Sequence, residues 1–277
     1  MHRALIAVLR CVDVRVIYVV AAIFVVPVSM VVNRSGGPIY RYLRRRHAMS
    51  RLQAAVATYR NHCLFAQTVI DRFAMYAGRR FRIAVTGCEH YERLERGTSA
   101  FVQLSAHVGN YELAGYTLRA THKPINALVF GGEKASVMAE RSRILARDNI
   151  RLIPIAADMS HIYALNNALC GNEAVSMPAD RAFGSAKSVT VGLLGAEAKL
   201  PAGPFHTAAC RALDVLAVNV MKTSLTHYAI IVTPLSYDKS APKRQRVQAL
   251  ADAYAAELER ILRLYPAQWY NFYDFWT

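Results

Sequence analysis

Short apolar runs alternate along this chain with longer stretches of helical period. Ala100–Ala106 is apolar enough for a buried strand and too short for a helix. The pattern breaks polar at His107, passes Gly109-Asn110 and resumes as an apolar-periodic helix with Glu112 in its first turn. Ala174–Met177 has the same form, a short buried strand followed by Pro178-Ala179-Asp180-Arg181. Further strands are expected at Phe81–Val85, Ile125–Phe130, Leu152–Ile155, Val215–Val220 and Tyr228–Pro234. Helices fall at Glu89–Arg96, from Gly131-Gly132 to about Arg147, and at Met159–Leu169. Ser50 is placed to cap a long helix reaching about Tyr76, with Leu52, Val56, Tyr59, Cys63, Ala66 and Ile70 on one apolar face. A second long helix, ended by Pro266, aligns Val247, Leu250, Ala251, Tyr254, Leu258, Ile261 and Leu262. Between Ser188 and Phe205 the pattern is short strands and turns, with Gly203-Pro204 fixing a bend. Strands alternating with helices predict one α/β domain, a mixed central sheet flanked by helices.

The N-terminal pattern differs. Val16–Val32 carries no charge. As a helix at 1.5 Å per residue it is ~26 Å long, marginal against a ~30 Å hydrocarbon core, and Pro27 is a potential kink. No small-residue cleavage site follows the first apolar part, so a removed signal peptide is not expected. The division is therefore an anchor helix over residues 1–34 and a globular domain over 35–277, with a re-entrant or interfacial helix as the alternative to a span. Arg3, Arg10 and Arg15 precede the segment; Arg34, Arg41, Arg44, Arg45, Arg46 and Arg51 follow it. That asymmetry puts the domain on the cytoplasmic side. The basic helix Tyr40–His47 is either a solvated face or a headgroup-level patch, and its position beside the apolar segment favours the patch. The aromatic stretch from Trp269 to Trp276 packs on the domain or lies at the membrane interface.

Composition sharpens this picture. An apolar fraction of 54% and a positive mean hydropathy are high for a soluble domain, and a net charge of +15 favours anionic partners. The basic residues gather next to the apolar segment, and no nucleic-acid motif appears, so an anionic membrane surface is expected and nucleic acid is not. Five widely spaced cysteines show no zinc or redox spacing and read as reduced thiols. No metal or bound cofactor is expected.

The chemistry centres on His107. A histidine just past a buried strand and a carboxylate five positions on can meet across the turn, the acid fixing the tautomer and steadying the imidazolium. With no Ser or Cys nucleophile beside them, the economical role is general base on a hydroxyl or amine. His90 and Glu95 share the spacing, but in a charged surface helix. The alternative for His107 is a hydrogen-bonded structural histidine.

His107-Val108-Gly109-Asn110-Tyr111-Glu112 resembles the His-(four residues)-Asp/Glu signature of the lysophospholipid acyltransferase superfamily, and its Gly-Asn-aromatic-Glu core is similar to the bacterial lipid A lauroyl/myristoyl acyltransferase branch. The approach from Gly87 to His107, the Met177–Ser185 segment, the Pro-Gly-Pro-Phe-like Leu194–Ala209 segment and the Pro-x-Gln-Trp ending at Tyr265–Trp276 resemble that branch in order. The chain departs from it at Arg181, where Gln is common, and at Tyr111, where Trp is common. The resemblance implies transfer of a fatty acyl chain from an acyl thioester, on acyl carrier protein or CoA, to a hydroxyl or amine of a lipid acceptor at the bacterial inner membrane. His107 is then the base and Glu112 its orienting acid. Asn110, Asp180, Arg181 and Arg143 are the expected substrate contacts; the guanidinium fork of Arg181 suits a phosphate or phosphopantetheine group, and a surface ion pair of Asp180 with Arg181 is the alternative. For Arg141 and Arg143 the resemblance implies one active-site arginine without saying which. A lipid or thioester hydrolase in the same pocket and a non-catalytic membrane adaptor remain the alternatives; the absence of a G-x-S-x-G elbow counts against the commonest hydrolase.

Overall fold

Why the strands order as they do is clearest at the centre. The computed structural model describes residues 9–132, 135–156, 158–181 and 187–276. Strands β1 (Arg82–Thr86), β2 (Phe101–Ser105), β3 (Ile125–Val129), β4 (Ile150–Pro154), β5 (Ala174–Pro178), β8 (Asp214–Lys222) and β9 (His227–Leu235) form one sheet in the order β1-β9-β8-β2-β5-β3-β4. All neighbours pair in parallel except β8 and β9, which are antiparallel. Near-continuous apolar runs, β2 and β8 above all, take the middle, where both faces are covered. β1, with alternating burial, takes an edge. The sheet is mixed and flanked by helices, as the alternation of elements predicts.

The helices are α1 (Val14–Asn33), α2 (Gly36–Arg46), α3 (Arg51–Tyr76), α4 (Cys88–Arg96), α5 (Glu112–Thr117), α6 (Ala135–Leu145), α7 (Ser160–Cys170), α8 (Ala202–Ala209) and α9 (Lys243–Leu264). In α1 a π-helical stretch, Ala21–Val25, precedes Pro27, and this wider turn takes up the proline's missing N–H. Arg3 and the Ala182–Ser185 end of the Met177–Ser185 segment lie outside the described residues. The 188–205 region is a hairpin of β6 (Ser188–Leu193) and β7 (Ala196–Pro201), after which Gly203-Pro204, contrary to expectation, is no bend but the first turn of α8. Proline is tolerated there because first-turn N–H groups have no partner inside the helix.

Helix α3 starts where expected, on a Ser50–Gln53 capping box. Its buried face follows its apolar spacing only at the C-terminal end, where Ile70 is buried and Ala66 packs beside it. Leu52 and Val56 are exposed, whereas Asn61, His62, Thr68 and Asp71 are buried. The polar residues turn inward because their partners are inside. Asn61 Nδ2 donates to the carbonyls of Ala267 (3.1 Å) and Trp269 (2.8 Å). The outward apolar stripe continues that of α1, which packs along α3 and leaves Val16, Ile23, Phe24, Val28 and Val31 exposed. Over Val14–Asn33, α1 is long and apolar enough to cross a membrane.

One buried polar cluster ties α1 to the sheet. Lys222 Nζ, at the end of β8, donates to Asp71 Oδ2 (2.5 Å) and to the Tyr18 hydroxyl (3.0 Å). The hydroxyls of Tyr18 and Tyr228 donate to the same carboxylate, and both rings face the ammonium, at 4.4 and 5.3 Å. Burial pushes the Asp71 carboxyl up and the Lys222 ammonium down, against their mutual attraction. Removing one partner strands the other charge. Asp71→Ala is expected to lower unfolding free energy by ~3–5 kcal/mol, read by chemical denaturation in detergent, with the paired Asp71→Leu/Lys222→Met replacement recovering most of the loss.

Candidate active site

Two loops meet at the carboxyl ends of β2 and β5. The parallel register pairs Ser105 with Pro178, and Ala179 N donates to Ser105 O across the gap (2.9 Å). His107 and Asp180 each lie two residues beyond that pair, so the sheet delivers them side by side. His107 Nδ1 and Asp180 Oδ1 are 2.7 Å apart, and His107 N donates to Asp180 Oδ2 (2.9 Å). Trp269 Nε1 donates to the same Oδ2 (3.1 Å). Asp180 is fully buried. Burial pushes its carboxyl up, but the charge of His107, hydrogen bonds from its ring and backbone N–H, and the charge of Arg181 outweigh this and hold it below the usual carboxylate value. An ionised carboxylate only accepts, so the ring nitrogen facing it is the donor. In the neutral ring that leaves Nε2 as the acceptor. The His107 side chain is 25% exposed.

The 107–110 loop is held from two further sides. Gly109 N donates to Gln268 O (2.9 Å), Asn110 N to Val220 O (2.8 Å), and Tyr270 N to His107 O (3.0 Å). Gly109 has φ +52°, and a Cβ there would sit 1.9 Å from the Val220 carbonyl oxygen, so only glycine fits. Gln268 is fixed in turn by both backbone groups of Lys222, accepting from its N–H (2.9 Å) and donating to its carbonyl (2.8 Å). The Pro-x-Gln-Trp segment is therefore a wall of the site.

The expected His107–Glu112 pair is corrected by this geometry. Among the described residues no hydrogen bond or ion pair joins them; the acid on the imidazole is Asp180. Glu112, buried at the start of α5, instead faces two guanidinium groups, Arg72 Nε at 3.0 Å and Arg141 Nη2 at 2.9 Å, with the Tyr76 hydroxyl at 3.5 Å. Burial pushes the Arg72 guanidinium down, and the Glu112 charge with nearby tyrosines more than reverses it. Of the two α6 arginines, Arg141 is the buried one and Arg143 is exposed. Arg181, expected to face a phosphate, turns its guanidinium to the Tyr270 carbonyl and clamps the C-terminal wall. Asn110 is buried, its side chain against the Tyr228 hydroxyl. Sequence reading missed Arg72 and the structural part of Trp269. The second carried a signal, an indole N–H in an aromatic stretch, and the first, one of three arginines on α3, carried none. Among the described residues no three His, Cys, Asp or Glu side chains gather as metal ligands would.

Residues 64–277 match the family described as "Bacterial lipid A biosynthesis acyltransferase". Among solved structures the chain is similar to the crystal structure of the 1-acyl-sn-glycerophosphate (LPA) acyltransferase from Thermotoga maritima, at 13% identity over 97% of this chain and 99% of that one, with a TM-score of 0.40. A search of curated proteins finds no significant match.

Glu112 holds two cations in a nearly dry site. Glu112→Ala is expected to cost ~3–5 kcal/mol of stability, seen as a lower denaturation midpoint, with Glu112→Asp losing less.

Proposed function

This chain belongs to the bacterial lipid A biosynthesis acyltransferase family and is an acyltransferase; within that family we propose that it moves a fatty acyl chain from an acyl thioester, on acyl carrier protein or CoA, to a hydroxyl or amine of a lipid acceptor, with His107 as general base. The observation that carries this is a part-exposed imidazole held at Nδ1 by a buried carboxylate. His107 Nε2 takes the acceptor's proton as its oxygen or nitrogen attacks the thioester carbonyl. The new C–O or C–N bond forms and a tetrahedral oxyanion develops. As the oxyanion collapses, the C–S bond breaks and the imidazolium returns the proton to the leaving thiolate. Asp180 is a positioning residue: it fixes the tautomer and offsets the charge that His107 gains. The Arg141–Glu112–Arg72 cluster supplies positive charge beside the loop, and Glu112 keeps Arg141 in place.

Membrane attachment fits the same reading. The joint apolar face of α1 and α3 lies in the lipid, and the arginines of α2 meet anionic headgroups at the cytoplasmic face of the inner membrane. Because α1 packs along α3, the pair inserts as one surface.

His107→Ala is expected to reduce transfer ~10²–10⁴-fold, measured by mass spectrometry of acylated lipid with acyl carrier protein and acyl-CoA supplied in turn. Asp180→Asn follows it while folding is kept. Full transfer by Asp180→Asn, with loss in Glu112→Gln, would return the orienting role to Glu112; fatty acid released without any acceptor would make the protein a hydrolase. In flotation with anionic vesicles, the Phe24→Glu/Val28→Glu double variant is expected to leave the lipid fraction.

A further inference from the structure

A second polar site shares Trp269 with the Asp180 cluster, and the proposed reaction does not use it. Three arginines of α2, Arg41, Arg45 and Arg46, line a cavity of about 230 Å³ together with Trp269, Asn271 and Trp276. That is below the ~300–1,000 Å³ typical of whole small-molecule pockets, the size for a headgroup fragment rather than a lipid. Arg46 lies over the Trp276 ring, 4.6 Å from its centroid. Arg41 holds Asp274 through two hydrogen bonds (2.9 and 2.6 Å), but this pair is half-exposed, so it contributes little and a stronger anion can displace it. Arg45 is close enough for its charge to help lower the Asp274 carboxyl.

Two side chains that line the cavity each bury a polar atom with no hydrogen-bond partner among the described residues: Trp276 Nε1, a donor, and Asn271 Oδ1, an acceptor. Such orphans are costly and rare unless something absent completes them. The donor asks for an anion's oxygen, as the arginines do. The acceptor asks for an O–H or N–H on the same molecule. A phosphate carrying a neighbouring hydroxyl meets both demands, its tetrahedral oxygens reaching donors on several walls at once.

We propose that this cavity binds the phosphate-bearing, hydroxylated headgroup of a lipid. The lipid, rather than a free polyol phosphate, is indicated by position. α2 follows directly on α1, whose exposed apolar face precedes the cavity in the chain, so the arginines stand where headgroups begin. If the lipid is the acceptor, this deepens the acyl-transfer reading and rests on it; binding itself does not. Through Trp269, one wall both lines the cavity and holds the carboxylate that orients His107.

Trp269 and Trp276 are the chain's two tryptophans, so intrinsic fluorescence reports on this cavity. The full chain in non-ionic detergent is titrated with dihexanoyl phosphatidylglycerol, dihexanoyl phosphatidylcholine and glycerol 1-phosphate. A saturable change is expected with the first, with binding weaker by about tenfold or more for the other two. Arg45→Gln weakens it about tenfold, and Arg45→Lys recovers part of the loss. Equal binding of phosphatidylcholine, equal binding of glycerol 1-phosphate, or undiminished binding by a folded Arg45→Gln would overturn the proposal. Absence of acyl transfer by the wild-type protein would sink the catalytic reading and leave this titration standing.

Discussion

A carboxylate with no access to water has to be answered by donors, and Asp180 is answered by three: the His107 ring, the His107 backbone and the Trp269 indole. An unpaired buried charge is far costlier than a surface one. The requirement therefore fixes the imidazole's orientation, the path of the 107–110 loop and the docking of the 266–270 segment together. The parallel pairing of β2 with β5 is what makes this possible, since it sets the two loops level with each other.

A second carboxylate with the same problem has a different solution. Glu112 is buried almost as deeply but answered by charge, between Arg72 and Arg141. The two acids flank one loop and differ in what they do for it: one aims a ring, the other gathers cations near it. That division accounts for a Gly-Asn stretch between His107 and Glu112, whose backbone must pass close under Val220.

The strands, their order in the chain and the polar residues just past β2 and β5 were all legible as pattern. So was the capping box at Ser50. The partner of His107 was not, because adjacency in a sheet depends on strand order. Glu112 stands five positions away in sequence and Asp180 seventy-three, so local spacing points to the wrong acid. The outward face of α3 misled for a related reason. Periodicity reports where apolar residues line up, and here they line up toward the same side as α1, while the interior is lined with Asn61, Asp71 and Arg72, each reaching a partner distant in the chain. Arg181 departs from expectation because a nearby carbonyl, that of Tyr270, already claims it.

The cluster around Lys222 has a practical consequence for engineering. Contacts run from Tyr18 to the Lys222 ammonium, and from the Lys222 backbone to Gln268 and on to Gly109. Deleting the first helix to obtain a water-soluble enzyme would thus open a hole beside a charged pair and loosen the strap under the imidazole. Solubility is better sought by recolouring the helix's outer side chains, leaving its inner edge, with Val14, Tyr18 and Ala21, untouched.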